Sequence, residues 1–141
     1  MLDSKHQSTV YAQDDARVAA VLDRRARGLI AMDEMLAELA DADCGPAIAA
    51  IVADRLRLGA AIARRALDAG DDQAISVMCR AAGFNINGFS AVLRLRRRHG
   101  HGRDSAPHDA LMFFSGLTRA SAERIVQQLT ALDAGGTKPK R

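Results

Sequence analysis

Tryptophan is absent from this chain of 141 residues, tyrosine occurs once and phenylalanine four times. Strands favour aromatic and β-branched side chains, so a sheet protein is disfavoured. Cysteine is nearly as scarce. Cys44 and Cys79 show no CxxC and no cysteine–histidine spacing of the zinc type, which argues against a disulfide framework and a structural zinc module. Long apolar runs are also missing. The longest mostly apolar stretch, Pro46 to Val52, is far shorter than the roughly 20 residues a membrane helix needs. The opening Met1-Leu2-Asp3-Ser4-Lys5-His6 has no apolar core of signal-peptide length. These absences predict a soluble, cytoplasmic chain without a membrane partner, its two thiols packed rather than bonded.

Alanine is abundant instead, at 28 residues. It is the best helix former, and the length suits one ordinary domain able to build its core without a metal or a disulfide. Helical spacing begins after Asp14-Asp15, with Val18, Val21 and Leu22 leading to a stop at Gly28. Asp33-Glu34 open a second segment carrying Met35, Leu36 and Leu39, and acids suit a first helical turn. Gly45-Pro46 breaks the chain. The apolar positions Ile48, Val52, Leu56, Ile62 and Leu67 then predict one amphipathic helix through Asp68, with Gly59 inside it either a point of close approach by a neighbour or a tolerated glycine. Asp71-Asp72 are expected to cap a short helix ending at Gly83, and Asn85 or Asn87 the next. Pro107 starts a helix containing Leu111-Met112-Phe113-Phe114, and Thr118 precedes a stripe of Ala122, Ile125, Val126, Leu129 and Leu132. No stretch alternates with period two for long enough to form a strand. The expected fold is all-α, a compact bundle of about seven helices with some likeness to a helical repeat. Residues 14–134 form the helical domain, preceded by a disordered segment 1–13 and followed by a disordered basic tail 135–141.

One stretch resembles a known family. Gly70-Asp71, then Val77-Met78-Cys79-Arg80-Ala81-Ala82-Gly83-Phe84, Phe89 and Val92-Leu93-Arg94-Leu95-Arg96 are similar to a signature of a largely alphaproteobacterial family, filed as domain of unknown function 2336. The piece from Asp109-Ala110-Leu111 through Leu117, with Ala122, Ile125 and Leu129, looks like the closing helices of that family. The likeness covers roughly residues 60–132. His108 or Asp109 stands where the family often carries tyrosine, and the usual late tryptophan is missing. The resemblance implies an all-helical fold in a bacterial signalling or regulatory setting and brings no known activity; typical members are longer, so this chain reads as a stand-alone or truncated C-terminal unit.

The residues that could carry chemistry have structural explanations. Asp14-Asp15 and Asp71-Asp72 sit at helix starts, where capping suffices, and no glycine-rich phosphate loop or nucleophile motif occurs. Of His6, His99, His101 and His108, only His99 and His101 are neighbours, among arginines that would repel a divalent cation. Cys79 lies between Met78 and Ala82 on an apolar stripe, as a buried structural thiol does. The chain is expected to be no enzyme and to hold no cofactor or metal.

Two features point to binding. Arg94, Arg96, Arg97, Arg98 and Arg103 form a basic strip, and Lys138, Lys140 and Arg141 a basic tail. Setting these eight cations aside from the net +3 leaves the rest of the chain at −5. Such a strip suits a solvated helix end, an acidic protein partner or, less readily, nucleic acid, because aromatics for stacking on bases are not interleaved with it. The second feature is the run Leu111-Met112-Phe113-Phe114. Four successive helical residues sweep about 300°, so one core face cannot hold them all. Either neighbouring helices bury that segment all round, or Met112 or Phe113 points to another chain as an interface. The expected function is a non-enzymatic protein–protein interaction module, a homodimer with a protein partner; the alternative is a nucleic-acid-binding regulator using Arg94 to Arg103.

Overall fold

A computed structural model describes residues 16–102 and 106–137, with side chains through residue 131. Every regular element among them is a helix, eight in all, with no strand. A first helix α1 covers residues 16–26. It is followed by α2 (Met32–Asp41), α3 (Gly45–Leu56), α4 (Ala60–Leu67), α5 (Gln73–Ala81), α6 (Ile86–Arg98), α7 (Pro107–Gly116) and α8 (Arg119–Thr137). The all-α expectation therefore holds. The expectations for residues 1–13, the Asp14-Asp15 cap and the tail residues Lys138, Lys140 and Arg141 lie outside the described residues. The backbone of α8 runs through Gly135-Gly136 to Thr137, past the domain end expected at 134.

The eighth helix arises because the long segment expected from Ile48 to Asp68 is two helices. Arg57 takes a left-handed conformation, φ 57°, which costs an L residue about 1–2 kcal/mol. The chain accepts it because the turn satisfies free carbonyls: Leu58 N–H donates to Ala53 O at 2.9 Å and Arg57 N–H to Asp54 O at 3.3 Å. Gly59, extended at φ −67°, is then the N-cap of α4. A Cβ on Gly59 would meet nothing within 4 Å, so close helix approach is not its role. The apolar spacing ran on across the break because Ile48, Val52, Ala63 and Leu67 enter the same core from both helices. Spacing alone does not register a cap.

Other helix ends follow the sequence. Gly83 ends α5 at φ 84°, with Phe84 N–H donating to Cys79 O at 3.1 Å. Asn85 caps α6, its Oδ1 accepting from Gly88 N–H at 2.8 Å. Thr118 Oγ1 accepts from Ser121 N–H at 3.1 Å at the start of α8.

α5 and α6 form the centre. α2 lies against α6, and Gly88 permits that approach: a Cβ there would stand 2.9 Å from Leu36 Cδ1. α5 takes α7 and α8 on its other sides. Phe114 of α7 stacks on Phe89 of α6, ring centroids 4.4 Å apart, while the Arg80 guanidinium sits 5.4 Å over the Phe114 ring. Phe89 near the start of α6 meets Phe114 near the end of α7, and Ser90, Leu93, Arg94 and Arg97 line one groove with Pro107 and Leu111. That sequence of contacts makes α6 and α7 an antiparallel hairpin. α8 packs along α5, and of its side chains up to residue 131 Ala122 and Val126 are buried.

Candidate functional site

Helical register decides what becomes of the arginine strip. Counting about 100° per residue along α6, position 96 returns to within about 20° of Phe89, seven residues earlier, and Phe89 is core. Arg96 accordingly points inward and is 1% exposed. All five of its N–H donors are used. Nε and Nη2 donate to Asp72 Oδ1 at 3.1 and 2.9 Å, Nη1 to Leu67 O at 2.5 Å and Ala66 O at 3.4 Å, and Nη2 to Asp71 O at 2.6 Å. The other carboxylate oxygen of Asp72 accepts from Arg97 Nη2 at 3.1 Å, and Arg97 Nη1 donates to the carbonyls of His101 and Gly102. Arg98, exposed, donates to Ala40 O at 2.8 Å and lies 3.8 Å from Asp43 Oδ1. Arg94 is exposed, and Arg103 lies outside the described residues. The five arginines are thus not one cationic surface: the middle of the strip is an internal ion pair.

Asp72 corrects a second expectation. It stands at the N-cap position of α5, but its side chain makes no cap hydrogen bond. Asp71 does that work, its Oδ1 accepting from Gln73 N–H at 3.0 Å. The buried Asp72–Arg96 pair was not read from the sequence, although the sequence held a signal for it. An arginine in register with Phe89 and Val92 on an apolar face needs an acid to neutralise it.

Two of the histidines face acidic side chains. His99 Nε2 is 2.5 Å from Asp43 Oδ1, and His101 Nε2 is 4.0 Å from Asp68 Oδ1. These four line a cleft of about 330 Å³ with Arg64 and Pro46. Among the described residues no group of three or more histidine, cysteine, aspartate or glutamate side chains is placed to hold a metal ion. His108 is exposed and His6 lies outside the described residues.

Cys79 is fully buried, and desolvation pushes its thiol well above the ordinary cysteine range, the positive charge of Arg96 opposing only in part. Cys44, before α3, is half-buried. Under native conditions Cys44 is therefore expected to react with an aromatic disulfide reagent while Cys79 stays protected until unfolding. Two thiols titrating together at the fast rate would mean that the α5 stripe is not core.

On α7 the four apolar residues divide as the sweep requires. Ala110 and Phe114 face the core and Leu111 is half-buried towards α6. Met112, about 180° from the mean direction of Ala110 and Phe114, is 60% exposed, and Phe113 is 40% exposed. Phe113 borders a shallow hollow with Asp71, Gln73, Ser76 and Asp109. Ile125 and Leu129 on α8 are exposed to a similar degree. No helix among the described residues is long and apolar enough to cross a membrane.

Compared with known proteins, the chain matches no family model, no curated protein and no solved structure. The family resemblance rests on the residues quoted for it, among them Cys79, Ala81, Ala82, Gly83 and Phe84. In this fold they are a helix end and its packing: the other four are buried around the turn at Gly83.

Proposed function

We propose that this chain is a non-enzymatic helical module for protein–protein contact, self-associating through the outward face of α7. The observation that carries this reading is Met112, an unbranched apolar side chain directed away from the core on a helix whose opposite side is closed by Phe114. Phe113 widens the patch towards α5. A flexible thioether beside an aromatic ring suits a surface that packs against another chain. The signalling or regulatory setting comes from the family resemblance alone. Cytoplasmic residence belongs to the same proposal and follows from cysteine usage. The nucleic-acid alternative is not favoured by α6, where Arg96 is committed to Asp72 and Arg98 to the Ala40 carbonyl.

The test is light scattering across a concentration series. The protein is expected to run as a dimer, and Met112→Asp or Phe113→Asp to convert it to a monomer with an unchanged far-ultraviolet circular dichroism spectrum. A monomer at millimolar concentration overturns the self-association. Loss of helicity in both variants would assign the residues to the core instead.

A further inference from the structure

Three arginines, distant in sequence, meet where the α3–α4 turn, the end of α5 and the start of α8 come together. Arg55, Arg57 and Arg119 line a hollow of about 160 Å³ there, with Glu123 the one carboxylate among the lining side chains. Three guanidinium groups against one carboxylate leave the lining at +2. Arg55 is anchored, its Nε donating to Ala82 O at 2.6 Å, a bond that answers the negative end of α5. The Arg119 guanidinium lies across Gly83. A Cβ at that glycine would stand 3.2 Å from Arg119 Cζ, so the missing side chain makes the room. The side chains of Arg57 and Arg119 have no hydrogen-bond or ion-pair partner among the described residues. Both also stand where an arginine is locally unfavourable. Arg57 holds the left-handed backbone that glycine or asparagine adopts most readily, and the carbonyls its turn satisfies ask nothing of its side chain. Arg119 opens α8, where the helix dipole repels a cation. Two local conflicts converging on one hollow are the pattern of a binding site, where function overrides local preference.

We propose that this hollow binds the phosphate group of a monoester, its terminal oxygens accepting paired N–H donors from Arg57 and Arg119. The volume is about half the smallest usual for a drug-sized ligand, so it admits the phosphate and leaves the rest of the ester outside. A carboxylate would bring one charge and two oxygens to three guanidinium groups. A phosphomonoester brings close to two charges and three oxygens. The phosphodiester of nucleic acid again offers one charge and two free oxygens, with chain on both sides. Glu123 opposes any anion here, so its removal should strengthen binding. None of the lining residues belongs to α7, so the site stands apart from self-association through that helix.

The test is a titration of the isotope-labelled full chain, followed by two-dimensional NMR at slightly alkaline pH and constant ionic strength. The probes are inorganic phosphate, dimethyl phosphate and a capped alanine peptide with one central phosphoserine. Inorganic phosphate is expected to shift the amides of Arg57, Gly83 and Arg119 saturably, with a midpoint of roughly 1–10 mM. Dimethyl phosphate should bind at least about fivefold more weakly. The phosphopeptide separates the sources. Tighter binding than inorganic phosphate means the phosphorylated side chain of a partner, and binding no tighter means a small phosphate ester; either result supports the site. Arg57→Gly suits the left-handed turn, so thermal unfolding should not fall, yet the phosphate midpoint should rise at least about fivefold. Arg119→Gln should weaken binding in the same way, and Glu123→Gln should tighten it. Arg94→Gln, at an exposed position of α6 outside the hollow, should change nothing. Shifts that fail to saturate by about 50 mM phosphate overturn the proposal. So do equal binding of dimethyl phosphate, an Arg57→Gly variant that keeps the original midpoint, or an Arg94→Gln variant that loses as much as Arg57→Gly.

Discussion

Asp72→Ala is expected to lower the free energy of unfolding by about 3–5 kcal/mol, the range for removing one partner of a buried ion pair. The cost comes from what is left behind. Arg96 has no exposed side-chain surface, and with Asp72 gone two of its N–H donors point at a vacated space while its charge stays buried. Arg97 loses the second carboxylate oxygen at the same time. A single domain is stable by about 5–15 kcal/mol, so this one change consumes a large part of the total. Urea unfolding at neutral pH measures it directly. In the double variant Asp72→Ala/Arg96→Met the loss should fall well short of the summed single losses, because the stranded charge is gone. A loss below about 1 kcal/mol for Asp72→Ala would show that Arg96 finds solvent or another acid.

Phe114→Ala is expected to cost about 3–5 kcal/mol and Phe113→Ala less than about 1, although the two residues are adjacent and chemically identical. Phe114 is 1% exposed, stacked on Phe89 and covered by Arg80, so truncation opens a void among α5, α6 and α7 that the surrounding helices cannot fill. Phe113 rests on the hollow near Asp71 and Asp109 with 40% of its surface already in water. Thermal unfolding should separate the variants by roughly 10 °C or more. Similar melting temperatures would place both rings on the same side of the core boundary and remove the physical basis for an α7 interface.

The sequence made the helical class legible through its alanine content and through apolar positions recurring every three or four residues. It also marked the ends at Gly83, Asn85, Pro107 and Thr118, because each has a local chemical cause: a left-handed glycine, a side-chain oxygen for a free N–H, a proline ring that fits a first turn. The break at Arg57 was not legible, since the residue taking the left-handed conformation there is one that usually avoids it. Its justification lies in the two carbonyls it satisfies. On α7 the sequence required some of the four apolar residues to leave the core but could not say which; α5 and α6 decide that by facing Ala110 and Phe114. The arginines misled for a related reason. Charge clustering in sequence was read as clustering on a surface, while the α6 register already set Arg96 beside Phe89.

Arg96 also bears on how the molecule opens. The connection between α4 and α5 forms no regular element, and carbonyls there and at the end of α4 are held from elsewhere: those of Leu67 and Asp71 by Arg96, that of Gly70 by the Gly102 N–H at 2.9 Å. Residues around 70 are therefore ordered by residues around 100. Neither stretch keeps its native hydrogen bonds once the other departs, so amide exchange in the turn and at the end of α6 belongs to one cooperative opening. The entropy of closing a loop of about 25 residues must be met before any of these bonds can form.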